Sequence, residues 1–291
     1  MFETFKTTTL IAFLAVVAPG CVGNLETALE QLTQARALSS DLLVQFTKTA
    51  DAGNRAVMAD SDEAATAFSR EAEEAMKVVQ RHIESLRPIL MALRYSAETD
   101  SLEEFAQQFA EYRALNQEIL GLAVENTNLK AQRISFGDAQ QAADAFRDAL
   151  DAIKRSGAGD RWHVEALVVT AVAAVREIQV LHAPHIAEAE DTAMTRMEKQ
   201  MASSETSARD ALQSLASLTP PGLRSQLAAA TAALDRFIGL NAEIVRLSRR
   251  NSGVRSLALS LGRKRMLTAQ CEETLRALQA ALDKRSFSGT R

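Results

Sequence analysis

The feature that most restricts the fold of this chain is an internal repeat. Residues 115–137 read LNQEILGLAVENTNLKAQRISFG, and residues 240–262 read LNAEIVRLSRRNSGVRSLALSLG. At a fixed offset of 125 residues, eight of these 23 positions are identical without a gap. The identical positions in the first copy are Leu115, Asn116, Glu118, Ile119, Leu122, Asn126, Ser135 and Gly137. The fold must therefore build a unit of about 125 residues twice.

Each unit has the pattern of long helices. Apolar residues recur at steps of three and four, and the chain has only 12 Gly, 5 Pro and 5% aromatic residues. Breaks near residues 95–100, 126–128, 156–160 and 219–222 divide each unit into four helical segments. The sequence thus predicts an all-α fold of two tandem antiparallel up-down four-helix bundles. The predicted bundles span residues 24–156 and 160–286, with a disordered tail at 287–291. The alternative is one elongated bundle with shared long helices.

The N-terminus has the pattern of an export signal. Residues 1–20 contain a short apolar run, Leu10–Ala18, and Ala18-Pro19-Gly20-Cys21 resembles a bacterial lipoprotein signal. This pattern predicts export to the periplasm or cell envelope, with a lipid anchor at Cys21. A disulfide between Cys21 and Cys271 and an uncleaved, cytoplasmic protein are the alternatives.

Three stretches resemble the four-helix-bundle ligand-binding domain of methyl-accepting chemotaxis receptors. They read NRAVMADSDEAATAF (residues 54–68), LGLAVENTNLKAQRISFGDA (residues 120–139) and LHAPHIAEAEDTAMTRMEKQM (residues 181–201). The resemblance implies an extracytoplasmic sensor that binds a small ligand or partner helices, as a homodimer. The sequence contains no second hydrophobic span and no signalling hairpin, so we expect it to act through a partner membrane sensor protein. The alternative is a structural scaffold bundle of the envelope with no small ligand.

Five residues are candidates for binding an organic-acid or amino-acid ligand: Arg133, Asn126, Asn251, Arg55 and Arg176. Arg133 continues the apolar row of the third helix, where a half-buried guanidinium could hold a carboxylate with two hydrogen bonds. A boundary arginine with a solvated head, or one paired with an acid such as Glu118, is the alternative. Asn126 and Asn251 also fit a helix cap or a buried pair that fixes helix register.

The sequence predicts no metal site, cofactor or catalytic site. His182, His185 and Glu188 have helical spacing, but Pro184 lies between the histidines, and we expect these to be surface or turn residues. The methionines at 194, 197 and 201 fit a packed core. No phosphate loop or nucleophile motif occurs, so we expect a protein that is not an enzyme. We expect the basic segment from Arg246 onward to lie beside acidic helices. It has almost no aromatic residues for stacking on bases, which argues against nucleic acid and leaves contact with anionic lipid as the alternative.

Overall fold

The computed structural model describes residues 20–155 and 161–286, with side chains from Glu26 onward. The regular secondary structure of the described residues is entirely helical, which confirms the all-α class. Its α-helices are α1 (Gly20–Val57), α2 (Asp62–Ala92), α3 (Ser96–Glu125), α4 (Thr127–Ile134), α5 (Gln140–Arg155), α6 (Arg161–Ala187), α7 (Asp191–Leu218), α8 (Arg224–Arg250), α9 (Ser252–Leu259) and α10 (Arg265–Lys284). One π-helical turn, Ser135–Ala139, joins α4 to α5, and another, Ser260–Lys264, joins α9 to α10.

Local sequence explains where several helices begin and end. The hydroxyl of Ser61 accepts a hydrogen bond from Ala64 N–H at 3.1 Å and so caps α2, whose first turn carries Asp62 and Glu63. Helix α2 contains Pro88 in its last two turns and continues past it to Ala92. The break after α2 is short because Arg94 adopts a left-handed conformation, with φ of 58°, and α3 begins at Ser96.

The helices form two hydrophobic cores, and each core takes its fourth helix from the other half of the sequence. The first core combines α1, α2 and α3 with α10, whose buried side chains are Leu267, Cys271, Leu275, Leu278 and Leu282. The second combines α6, α7 and α8 with residues of α4 and α5, including Ala131, Ala142, Phe146, Leu150 and Ile153. The predicted bundle boundaries, 24–156 and 160–286, follow the sequence repeat. The packing does not follow them, because α4–α5 pack in the second core and α9–α10 pack against the first.

The reason for this exchange is the backbone at Asn126 and Asn251. Both residues are left-handed, with φ of 47° and 52°. The hydrogen-bond ladder nevertheless continues through Asn126, because its N–H bonds Leu122 O at 3.3 Å and its carbonyl accepts from Lys130 N–H at 3.2 Å. The chain therefore bends at these positions without reversing. The helices α3–α4 and α8–α9 pass from one core into the other and cross near Thr127 and Ser252.

The two π turns contain the last two identical positions of the repeat, Ser135 and Gly137 in the first copy. They occupy residues 135–139 and 260–264, at the same offset of 125 residues that relates Thr127 to Ser252. A π turn carries one extra residue in a helix and is common at functional sites. The repeated Ser-x-Gly sequence thus marks a repeated irregularity in the fourth helix of each core.

The predicted export signal and the tail fall at the ends of the chain. Residues 1–19 and 287–291, and the side chain of Cys21, lie outside the described residues. Across residues 20–155 and 161–286, no helix is both long enough and apolar enough to cross a membrane. Cys271 is a free thiol in the first core, where burial raises its pKa to about 12.

Candidate functional site

A lysine lies inside the first core at the second π turn. Lys264 is 1% exposed, and its ammonium donates a hydrogen bond to Asn54 Oδ1 at 3.1 Å. The hydroxyl of Ser260 donates to the same oxygen at 3.2 Å. Within the described chain, no carboxylate forms an ion pair with Lys264, and burial lowers the pKa of this lysine to about 8. A buried ammonium without an anionic partner is costly and is a marker of functional sites.

An amide of α3 adds an unused acceptor beside this lysine. Asn116 is fully buried, its Nδ2 donates to Met76 Sδ at 3.7 Å, and its Oδ1 has no hydrogen-bond partner. Gly53 on α1 separates the two groups. A Cβ atom at Gly53 would lie 2.6 Å from Lys264 Nζ and 2.9 Å from Asn116 Oδ1. The sequence therefore leaves space for these polar atoms only because residue 53 is glycine.

A cavity of about 480 Å³ lies beside Lys264. Its polar lining consists of Asn54, Ser260, Lys264 and Thr268, and its apolar lining includes Val57, Met58, Leu257, Leu261 and Ala269. Arg265 and Glu272 complete the wall. A lining in which Lys264 and Ser260 adjoin apolar side chains suits a small molecule that carries a carboxylate on an apolar body.

The second core has a different polar group at the equivalent level. Ser135 Oγ lies 3.0 Å from His182 Nδ1, and His182 Nε2 lies 3.0 Å from Asn241 Oδ1. Because the amide oxygen can only accept, Nε2 carries the proton and Nδ1 accepts from the serine hydroxyl. Burial lowers the pKa of His182. Both ring nitrogens are thus satisfied internally, and we assign this group a structural role.

The histidines are therefore not surface or turn residues, as the sequence suggested. His182 and His185 are both buried, since α6 continues through Pro184 to Ala187. His185 Nε2 lies 3.0 Å from Glu198 Oε1, and Arg249 holds the same carboxylate with two hydrogen bonds of 2.6 and 2.9 Å. The Arg249 guanidinium keeps the pKa of Glu198 below its ordinary value.

The metal-like spacing of these side chains does not produce a cluster in the described part of the fold. Glu188 accepts hydrogen bonds from the N–H groups of Ala189 and Glu190 in the turn after α6. No group of three or more His, Cys, Asp or Glu side chains among the described residues is arranged to hold a metal ion. The histidines thus act as hydrogen-bonding groups of the second core.

The structure distributes the three predicted ligand-binding arginines over separate surfaces. Arg133 is about half exposed, lies 3.5 Å from Asp62 Oδ2 and lines an open groove at the helix crossing. Arg55 stacks over the ring of Phe68 at 3.9 Å. Arg176 is exposed on α6. None of the three lines the cavity beside Lys264.

The two predicted asparagines lie at the bends of the crossing helices. The side chain of Asn126 donates to Asp62 Oδ1 at 3.1 Å, and that of Asn251 donates to Glu188 O at 2.6 Å. Neither side chain makes the capping hydrogen bond that the sequence suggested. Their contribution is the left-handed backbone, which asparagine tolerates better than most residues.

The sequence interpretation did not include Lys264 among the candidate residues. In the run Arg263-Lys264-Arg265 it resembles a solvated basic surface. Two features of the sequence nevertheless indicated that Lys264 is buried. Lys264 precedes the buried row of α10 by three residues, the spacing that places it on the same face as Leu267 and Cys271. The equivalent residue of the first copy, 125 positions earlier, is Ala139, which is buried.

The chain was compared with protein-family models, with curated proteins and with solved structures. No known family matches it. The comparisons with curated proteins and with solved structures gave no match either. The function must therefore be argued from the site itself.

Proposed function

We propose that this protein is a ligand-binding helical bundle of the sensory type, which binds a small carboxylate in the cavity beside Lys264. The observation that carries the proposal is the buried Lys264, which forms no ion pair with a carboxylate of the described chain and lines a cavity of about 480 Å³. An anionic ligand would supply the missing charge, and its desolvated pairing with an ammonium is a strong interaction.

The lining of the cavity supports a ligand of limited size with an apolar portion. Met58, Leu257 and Leu261 provide apolar surface, while Ser260 and Lys264 provide donors for a carboxylate. Glu272 and Arg265 add one charge of each sign, so an amino acid is accommodated as well as a simple organic acid.

The exchanged helices give such a ligand a route to the rest of the molecule. Lys264 and Ser260 lie on the π turn after α9, whereas Asn54 and Asn116 belong to α1 and α3. The helix that carries the ligand-facing lysine continues, through the bend at Asn251, into α8 of the second core. A ligand that moves the π turn would thus shift α8 as well. A partner protein in contact with the second core would detect this movement of α8.

The resemblance to chemotaxis-receptor sensor domains supports the same kind of function. In this proposal the protein acts outside the cytoplasm, anchored by lipid at Cys21, and reports to a membrane sensor protein. Labelling of the expressed protein with palmitate, and loss of the label in Cys21→Ser, tests the anchor separately from ligand binding.

The test of the binding function is a calorimetric and thermal-shift titration with short organic acids and amino acids. Acetate, succinate, benzoate, aspartate and leucine sample charge and apolar size. We expect at least one probe to raise the melting temperature of the wild type and of Lys77→Met, an exposed lysine on α2. The same probe should give no shift in Lys264→Met, which keeps an unbranched side chain of similar shape and removes the ammonium.

Two results would contradict the proposal. Equal shifts in the wild type and Lys264→Met would place any binding elsewhere on the molecule. A flat response of the wild type to all the acids would favour the scaffold alternative, in which the helical faces serve only for assembly.

A further inference from the structure

Helix α6 has a second apolar seam that faces solvent. The buried face of α6 includes Val164, Val168, Ala171, Val175 and Ile178. On the opposite side, alternating steps of four and three residues connect a second row. Its members are Trp162, Ala166, Val169, Ala173, Arg176 and Val180, and all six are exposed. Trp162 is 81% and Val180 73% exposed, which is unusual for large apolar side chains at such regular spacing.

This spacing is the one through which two helices pack in a coiled coil. A helix that is apolar on both faces usually contacts apolar partners on both. α6 has 27 residues, so it extends for about 40 Å at 1.5 Å per residue. The inner face contacts α7 and α5, and the outer seam has no partner within the described chain.

We propose that this seam binds α6 of a second copy of the chain, with the two helices antiparallel. The row is symmetric about Ala171, so a two-fold axis there places Trp162 against Val180 of the other copy and Val169 against its Ala173. Large side chains then meet smaller ones at each level, as close packing requires. The inference does not depend on the proposed ligand.

Charge selects the antiparallel orientation. Arg176 is the fifth of the six seam residues and forms no ion pair with the described residues. In a parallel, in-register pair, Arg176 would face Arg176 of the other copy, and two guanidinium groups would be buried side by side. In the antiparallel pair, Arg176 lies opposite Ala166 of the other copy and next to its Glu165. Glu165, which also pairs with Lys154 of its own chain at 2.7 Å, then places a negative charge beside Arg176 at two symmetry-related positions of the contact.

The repeat provides a matched control for the test. Val169 and Val44 occupy equivalent positions in the two copies, 125 residues apart, and are 56% and 57% exposed. Sedimentation equilibrium of the full-length chain should show a dimer for the wild type and for Val44→Glu. We expect at least a tenfold weaker dimer for Val169→Glu, with unchanged helix content by circular dichroism. A second variant, Val180→Glu, should have the same effect.

Orientation is tested by thiol cross-linking in a Cys21→Ser background. A mixture of Val169→Cys and Ala173→Cys chains should form a mixed disulfide dimer, while Arg176→Cys alone should not. A wild type that stays monomeric at high protein concentration would overturn the proposal. So would a dimer that survives Val169→Glu, a dimer that Val44→Glu disrupts equally, or efficient cross-linking of Arg176→Cys with itself.

Discussion

Thr127 and Ser252, which are equivalent residues of the two repeats, cap each other's helices where the chain crosses itself. Thr127 N–H donates to Ser252 Oγ at 3.0 Å, and Ser252 N–H donates to Thr127 Oγ1 at 3.1 Å. Both residues are buried. Each hydroxyl thus satisfies a first-turn N–H that its own helix leaves unpaired. This reciprocal pair joins the two exchanged helical segments at the point where they cross.

The first prediction concerns this pair. Ser252→Ala leaves the buried Thr127 N–H without an acceptor, and we expect it to lower the free energy of unfolding by about 1–3 kcal/mol. Thr127→Val should have a similar effect. Because the two residues share one network, the double variant should lose less than the sum of the single losses. Urea denaturation of the four proteins measures the coupling, and Ser217→Ala, at an exposed serine, serves as the control.

A second prediction follows from the burial of Lys264. We expect Lys264→Met to unfold at a higher urea concentration than the wild type at pH 7, because it removes a buried ammonium with no carboxylate partner. The pKa of Lys264 is about 8 in the fold against 10.5 for an ordinary lysine. Over this range the unfolded chain binds more protons than the native one, so the wild type gains stability as the pH rises from 8 to 10.5.

The gain expected for the wild type over that pH range is on the order of 3 kcal/mol. The groups that face Lys264 from α1 and α3 are the neutral amides Asn54 and Asn116, and Glu272 and Arg265 line the adjoining cavity. The difference between wild type and Lys264→Met should therefore narrow above pH 8. A difference that is independent of pH would mean that Lys264 is not buried in its charged form.

The third prediction concerns the replacement of Gly53 by alanine. Alanine is a better helix former than glycine by about 1 kcal/mol, so Gly121→Ala, where a Cβ has open space, should stabilise the protein by that amount. Gly53→Ala should give a smaller gain or a loss, because its Cβ crowds Lys264 Nζ and Asn116 Oδ1. It should also abolish binding of any acid that requires Lys264. Equal gains for the two variants in thermal denaturation would contradict the close approach at residue 53.

The fourth prediction concerns acid. Burial lowers the pKa of His182, so below its ordinary value of 6.5 the unfolded chain takes up a proton that the native state resists. The contribution of neutral His182 to the free energy of unfolding is therefore fully present above pH 6.5 and is lost as the pH falls. His182→Gln keeps hydrogen-bonding groups near Ser135 and Asn241 but does not titrate. The free energy of unfolding of the wild type should fall more steeply between pH 6.5 and 5 than that of the variant.

The sequence was sufficient for the class of the fold and for most of its core. The apolar row of α2 and that of α3, through Phe105, Phe109, Tyr112 and Ile119, are buried as their spacing predicts. Helical periodicity reports which face of a helix is buried, but it does not report which other helix covers that face. For this reason the exchange of α5 and α10 between the cores could not be predicted from the spacing of apolar residues.

The path of the chain at the bends is where the prediction from the sequence differs most from the structure. Asn126 was predicted to be a cap or a turn, and it does lie at the cap position between α3 and α4. Its left-handed backbone nevertheless keeps the i to i−4 hydrogen bonds on both sides, so the chain makes no reversing turn there. A turn would have returned the fourth helix to its own repeat. The bend instead carries it forward into the other core, and this brings Lys264 next to Asn54 and Gly53, more than 200 residues earlier in the chain.

The most direct test of this account asks which fourth helix packs against α3. Thr274 Oγ1 on α10 lies 3.0 Å from Gln108 Oε1 on α3, and the repeat-equivalent residue of Thr274 is Ala149 on α5. With the native cysteines replaced, a short bis-maleimide should cross-link Gln108→Cys to Thr274→Cys within one chain and leave Gln108→Cys with Ala149→Cys unlinked. Mass spectrometry of the digested monomer identifies the products. Efficient linkage of 108 to 149, without linkage of 108 to 274, would mean that each repeat forms its own bundle and that the composite site at Lys264 does not exist.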